Sequence, residues 1–247
     1  MARIFITGSS DGLGLMAAKL LIDQGHQVVI HARNAEKGRQ AFDKVPGAEK
    51  LLTADLSSME ETILLAAKVN EFGRFDAIIH NAGVNQVSNK IIFAVNTLAP
   101  YILTCLVQRP KRLIYLSSGM HLNGNPGLDH LSSDSRECSY SDSKLHDILL
   151  CMAVSRKWMD VYSNAVNPGW VPTRMGGSGA PDNLEKGFLT QAWLAVNNDD
   201  QAKVSGRYFF HQKESYYLPV AGDTHVQEKF LAVCEQISGI HFPYEQV

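Results

Sequence analysis

The sequence is poor in the features that would take a chain out of the ordinary globular class. No lysine or arginine run exceeds a pair such as Lys111-Arg112, and 23 basic against 25 acidic residues leave a net charge of -2, so no face for nucleic acid is expected. Only four cysteines occur, at 105, 138, 151 and 234, none in Cys-x-x-Cys spacing, which argues against a disulfide framework or a cysteine metal site. The histidines are scattered without ligand spacing, and no metal is expected. An uninterrupted apolar run of the roughly 18 to 20 residues that a spanning helix needs is missing. The sequence opens on a strand-like segment instead of a charged-then-apolar leader. A cytoplasmic protein with no membrane partner is therefore expected. Repeats and low-complexity linkers are absent too, so the 247 residues are read as one domain, 1–247.

What is present is alternation. Short β-rich runs at 2–7, 27–32, 50–54, 76–80, 112–117, 161–166 and 206–211 are separated by helical periodicity at 13–24, 35–45, 58–71, 90–107 and 141–157, with a closing helix at 225–237. That order is the mark of βαβ units. It predicts an α/β fold: a single-domain, Rossmann-type, doubly wound parallel sheet of about seven strands with helices on both faces. Two irregular stretches, 119–139 and 168–195, are placed as substrate loops, because in such sheets ligands bind outside the carboxyl ends of the strands.

Residues 3–14, Arg-Ile-Phe-Ile-Thr-Gly-Ser-Ser-Asp-Gly-Leu-Gly, carry a strand through glycines into a helix. Gly8, Gly12 and Gly14 permit a tight turn and close approach of a pyrophosphate to the helix N-terminus, which points to a dinucleotide site. Thr7, Ser9, Ser10 and Leu13 share that turn. The spacing is Gly-x-x-x-Gly-x-Gly, which departs from Gly-x-Gly-x-x-Gly. At the end of the second strand, where an acid would grip the ribose of NAD, the chain has His31-Ala32-Arg33-Asn34. A guanidinium at Arg33 can pair with a 2′-phosphate, so NADP(H) is favoured and NAD(H) is left open. Asp55 reads equally as a receiver of the adenine amino group and as an N-cap-like residue before the next helix.

Tyr140 and Lys144 stand four residues apart on the helix expected over 141–157, and so share a face. An ammonium beside a phenol favours the phenolate. One unit charge at ~4 Å supplies about 4 kcal/mol at an effective dielectric of ~20, enough to move a phenol's titration by about three units.

The ordered set Thr7-Gly8-x-x-x-Gly12-x-Gly14, Asp55, Asn81-Ala82-Gly83, Asn96, Ser118, Tyr140-x-x-x-Lys144 and Pro168-Gly169 resembles the short-chain dehydrogenase/reductase family across essentially the whole chain. Arg33-Asn34-x-x-Lys37-Gly38, Ser117-Ser118-x-x-His121 and Ser205-Gly206-Arg207-Tyr208-Phe209 resemble its retinol dehydrogenase-like branch, without the membrane anchor common there. The resemblance implies an oxidoreductase moving a hydride between nicotinamide and the carbonyl or alcohol of a small molecule. It makes Tyr140 the proton donor, Lys144 its tuner and a ribose ligand, Ser118 the holder of the substrate oxygen, with Ser117 as rival, and Asn96 the anchor of a water relay. A helical asparagine bonded locally to backbone is the other reading of Asn96. It also puts Leu56, Asn81, Ala82, Gly83, Pro168, Gly169, Val171 and Thr173 against the cofactor.

The stretches around Asn96 are short for the family, so the helices flanking the fourth and fifth strands are expected to be shortened. That leaves a homodimer open and puts the usual tetramer in doubt. Met120, His121, Leu122, Trp170, Met175, Phe188 and Trp193 are expected to wall the pocket and to select an apolar or aromatic substrate, although Phe188 and Trp193, with Leu194, read more readily as the core face of a helix. A catalytically silent, dinucleotide-sensing regulator on the same fold is the alternative, but it would not need Tyr140, Lys144, Ser118 and Asn96 together.

Overall fold

Ile4 and Ile6 turn to one face of strand β1 (Arg3–Ile6) and Phe5 to the other, and all three are fully buried, so the sheet has to be covered on both sides. In the computed structural model, which describes residues 1–131 and 138–243, it is. The chain continues through α1 (Gly12–Asp23), β2 (Gln27–Ala32), α2 (Ala35–Phe42), β3 (Lys50–Thr53), α3 (Met59–Asn70) and β4 (Ala77–His80). Helix α4 (Asn89–Ile92) runs through a π-helical turn at Phe93–Leu98 into α5 (Ala99–Leu106), and β5 (Arg112–Leu116) leads to a 3-10 turn at Gly119–Asn123 and α6 (Leu128–Leu131). Then follow α7 (Tyr140–Lys157), β6 (Tyr162–Asn167), α8 (Leu184–Val196), β7 (Arg207–Phe210), β8 (Lys213–Glu214) and α9 (Thr224–Ser238).

The sheet order is β3-β2-β1-β4-β5-β6-β7-β8, parallel through β7. The eighth strand corrects the expectation of about seven: Lys213–Glu214 folds back antiparallel on β7, too short and too charged to be read from pattern. One face carries α1, α2 and α8 over Ile4, Ile6, Val28, Ile30, Ile79 and Ile114. The other carries α3, α4–α5, α7 and α9 over Phe5, Val29, Ile78, Leu113 and Tyr115. The winding of the chain across the sheet reverses between the parallel neighbours β1 and β4, and the crevice at their carboxyl ends is the ligand position such sheets offer.

The helix starts are set by side-chain caps: Asp11 for α1, Asn34 for α2, Ser58 for α3, Asn183 for α8 and Asp223 for α9. Helix α7 opens with a capping box in which Ser139 and Asp142 satisfy each other's backbone, which makes Tyr140 its first residue. The helical run Asn89–Leu106 is long and apolar enough to cross a membrane by length and composition, and two-thirds of it is buried in the protein, as a core helix is. The helical runs after β4 and β5, Asn89–Leu106 and Tyr140–Lys157, are 18 residues each, and the links at 81–88 and 107–111 are short. Residues 132–137 of the loop read at 119–139 lie outside the described residues.

Candidate active site

The loops after β1 and β4 are stitched together. Thr7 Oγ1 accepts from the amides of Asn81 and Ala82 (both 3.1 Å), and Asn81 Nδ2 donates to the carbonyls of Thr7 (3.0 Å) and Gly8 (3.1 Å). A Cβ on Gly8 would stand 2.7 Å from Ala82 Cα, and one on Gly14 would stand 2.4 Å from Asn81 Nδ2. These two glycines are therefore demanded by packing between loops. Gly12 differs: it holds φ 56°, and a Cβ there would meet nothing nearer than Thr173 Cγ2 at 3.9 Å. It lies at the N-terminal end of α1 across from Thr173, where the first-turn amides of the helix can receive a pyrophosphate. The cradle fits a dinucleotide.

His31, passed over as a site residue, closes this loop from behind. Its Nδ1 accepts from the Gly8 amide (3.0 Å) and its Nε2 donates to the Ala54 carbonyl (3.0 Å), while Ser9 Oγ accepts from the His31 amide (2.8 Å) and donates to Ile6 O (2.8 Å). Burial lowers the His31 pKa to about 4, so the ring is neutral and its two partners fix the tautomer. Thr7 and Ser9 are buried and hold the loop, whereas Ser10 and Leu13 are half-buried at its mouth. Its position at a strand end gave no signal of this bond across 23 residues.

Arg33 is exposed, and none of its polar atoms has a partner among the described residues. Asn34 caps α2 by accepting from the Lys37 amide (2.9 Å). Asp55 Oδ1 accepts from the amide (2.9 Å) and hydroxyl (2.7 Å) of Ser57, a local turn; the N-cap of α3 is Ser58 and not Asp55. Leu56 is buried in the core, which leaves its backbone for any contact at the crevice.

Ser117 and Ser118 part as strand alternation requires. The buried Ser117 donates to the Lys144 carbonyl (2.6 Å), and half-buried Ser118 heads the 3-10 turn, accepting from the Met120 amide (3.2 Å). Tyr140 is half-buried, with its hydroxyl 3.9 Å from Met175 Sδ. Lys144 is buried; its ammonium lies 5.7 Å from the Tyr140 ring centre and donates to Leu116 O (2.6 Å) and to Asp147 Oδ2 (2.9 Å). A Cβ on Gly83 would stand 3.4 Å from this Nζ, so Gly83 keeps the approach to the cation open.

Asn96, inside the π-helical turn, accepts from the Val84 amide (2.8 Å) and donates to Val84 O (2.9 Å) and Ser143 Oγ (3.0 Å). Its side chain ties the loop after Gly83 to α7, and its partners lie 12 and 47 residues away in sequence instead of in the local helix backbone. The segment after β6 turns at Gly169, φ 85°, where a Cβ would press on Asp182 Oδ2 at 2.7 Å. Pro168 is half-buried, Val171 is buried, and Thr173 Oγ1 accepts from the Gly176 amide (3.3 Å).

Four of the expected pocket walls are exposed at this end: Met120, Leu122, Trp170 and Met175. Three are elsewhere. Phe188 and Trp193 belong to α8 and pack on the opposite core, because their spacing follows the buried stripe of that helix. His121 is fully buried; its Nδ1 donates to Ser118 O (2.6 Å) and its Nε2 accepts from the Leu218 amide (3.3 Å). A cavity of ≈ 490 Å³ between α8 and the β7–β8 turn, bordered by Lys186, Thr190 and His211, contains none of the residues described above.

Residues 2–183 match the short chain dehydrogenase family profile. An uncharacterized oxidoreductase of Emericella nidulans is 44% identical over 98% of this chain and 99% of its own. Human retinol dehydrogenase 13 is 28% identical over 97% of this chain and 85% of its own. The RhlG/NADP active-site complex of Pseudomonas aeruginosa superposes with a TM-score of 0.69 over 85% of this chain and 96% of that one; at 20% identity the likeness is one of fold.

Proposed function

The chain belongs to the short-chain dehydrogenase family and is an oxidoreductase using a nicotinamide dinucleotide, and on that premise we propose that it works with NADP(H) on a small apolar or aromatic carbonyl or alcohol. One observation carries the reading: a half-exposed phenol and a buried ammonium share one turn of α7 beside the glycine cradle and a patch of exposed apolar side chains. The dinucleotide, when bound, supplies or accepts the hydride. The remaining work falls to this chain. In reduction Tyr140 Oη gives a proton to the carbonyl oxygen as carbon gains the hydride; in oxidation it takes that proton back. Lys144 offsets the negative charge on the phenol oxygen, helped by the positive end of the α7 dipole. Ser118 Oγ, which both donates and accepts, holds the substrate oxygen, and Met120, Leu122, Trp170 and Met175 exclude water from it.

The unpartnered guanidinium of Arg33, at the end of β2 where a ribose carboxylate ligand would stand, supports NADP(H). Fluorescence titration is expected to show NADPH bound about 10- to 100-fold tighter than NADH, a preference that Arg33→Ala removes without weakening NADH. Equal affinities in the unmodified protein would overturn this part of the proposal.

A further inference from the structure

We propose that Asp147 is a positioning residue that keeps Lys144 charged and fixed one turn behind Tyr140, so that the ammonium meets the cleft with a defined position and a single free hydrogen. The proposal rests on the reading of Tyr140 and Lys144 given above. A lysine with 5% of its side chain exposed should lose its proton readily, because burial penalises the charged form. The side chain of Asp147, 3% exposed, answers that penalty with a carboxylate at 2.9 Å. Burial works to lower the Lys144 pKa and is the largest single influence; the charge of Asp147, the Tyr140 oxygen and the hydrogen bond to Asp147 together outweigh it, so the net direction is upward. Two of the three ammonium hydrogens go to Asp147 and Leu116 O, and the third is left on the side that Gly83 keeps open. A buried ion pair adds little to stability compared with an apolar pair of the same volume. Its place beside the reacting phenol therefore calls for a functional account.

Within α7 the adjacent His146 has its pKa lowered to about 4 by burial and is neutral, and Arg156 and Lys157 are both held by Glu228. Tyr115 on β5, Cys151 on α7 and Cys138 before it lie in the field of Asp147; burial pushes Tyr115 well up and both thiols to about 12, so all three are neutral. On α9, Cys234 is likewise pushed well up by burial, while Glu228, Lys229 and Glu235 pair with Arg156, Asp129 and His241, and His225 faces solvent. His121 in the 3-10 turn has its pKa lowered by burial, and Lys90 on α4 is exposed. Tyr162 at the far end of β6 is exposed, and the turn Pro219–Gly222 and the π-helical turn contain no titratable side chain. Asp147 itself is pushed up to about 6 by burial, with Lys144 opposing, so it is ionised at neutral pH and the pair opens on mild acidification.

The test follows the Lys144 Cε resonance in dinucleotide-free protein labelled with [13Cε]lysine, assigned by Lys144→Arg. In the unmodified protein Lys144 should stay charged past pH ~10; in Asp147→Asn it should titrate at least about one unit lower, and Asp147→Glu should restore it. The Kd for NADP+ should weaken at least about threefold between pH 7 and 9 in Asp147→Asn and stay flat in the unmodified protein. An unchanged Lys144 titration in folded Asp147→Asn would overturn the proposal. So would deprotonation of Lys144 below pH ~9 in the unmodified protein, a measurement that decides the matter even where the variant does not fold. Absence of NADP+ binding and hydride transfer in the unmodified protein would sink the reading of the site, while the lysine titration still reports on Asp147.

Discussion

Two neighbouring serines show how much a single strand position decides. Ser117 faces inward and donates to the Lys144 carbonyl; Ser118 stands half-exposed at the mouth of the cleft. Ser117→Ala is expected to lower stability by about 1 kcal/mol, the net worth of one buried hydrogen bond. Ser118→Ala should leave stability within ~0.5 kcal/mol and reduce kcat/KM. Tyr140→Phe separates chemistry from folding still more cleanly, because among the described residues the one hydrogen-bond partner of its hydroxyl is Met175 Sδ at 3.9 Å. Turnover should drop about a hundred- to ten-thousand-fold while NADPH affinity and the unfolding midpoint hold. A Tyr140→Phe variant with more than a tenth of the original rate would remove Tyr140 from the acid role. Steady-state rates beside chemical denaturation check all three substitutions.

At the scale of the element, the glycine turn works as a unit with the strand behind it. His31 joins the Gly8 amide to the Ala54 carbonyl and does so as a neutral ring, its pKa lowered to about 4 by burial from an unfolded value near 6.5. Between those two values the unfolded chain binds the proton and the folded chain does not. The stability this histidine contributes is therefore fully present above pH ~6.5 and is lost as pH falls through the window. For a single such group the loss between pH 7.5 and 5.0 is about 2 kcal/mol. Asp147, pushed up to about 6, acts in the opposite sense, so the His31 share has to be read by difference. Denaturant unfolding at both pH values should show a fall that is about 2 kcal/mol smaller in His31→Asn than in the original chain. Equal falls would mean that the His31 clip contributes nothing to acid sensitivity. The turn itself was legible because glycines, strand and helix occur in one short stretch. The clip was not, since nothing local distinguishes a histidine that bonds across 23 residues from one that merely ends a strand. Asn96 failed to resolve for the same reason: its partners, Val84 and Ser143, come from other segments.

For the whole molecule, periodicity was enough to lay out the sheet, because each central strand is buried on both faces and the outer helices on one. It was not enough to say what covers α7. Twelve consecutive residues of that helix, Ser143–Val154, are buried, which no amphipathic stripe predicts. Their cover is the chain's own carboxyl-terminal segment. Phe230, Leu231 and Cys234 of α9 join the α7 core, Tyr101 Oη donates to Ile240 O (2.8 Å), and Trp158 Nε1 donates to Pro243 O (2.9 Å). With α7 covered from within the chain among the described residues, a second copy is not expected to pack on that helix. The full chain is therefore expected to sediment as a single species of 27.3 kDa at micromolar concentration. Deleting residues 224–247 should uncover the apolar surface of α7 and drive association or precipitation, because patches of that kind rarely persist on soluble monomers. A stable dimer or tetramer of the intact chain would show instead that association uses another face, with the short exposed strand β8 as the first surface to mutate.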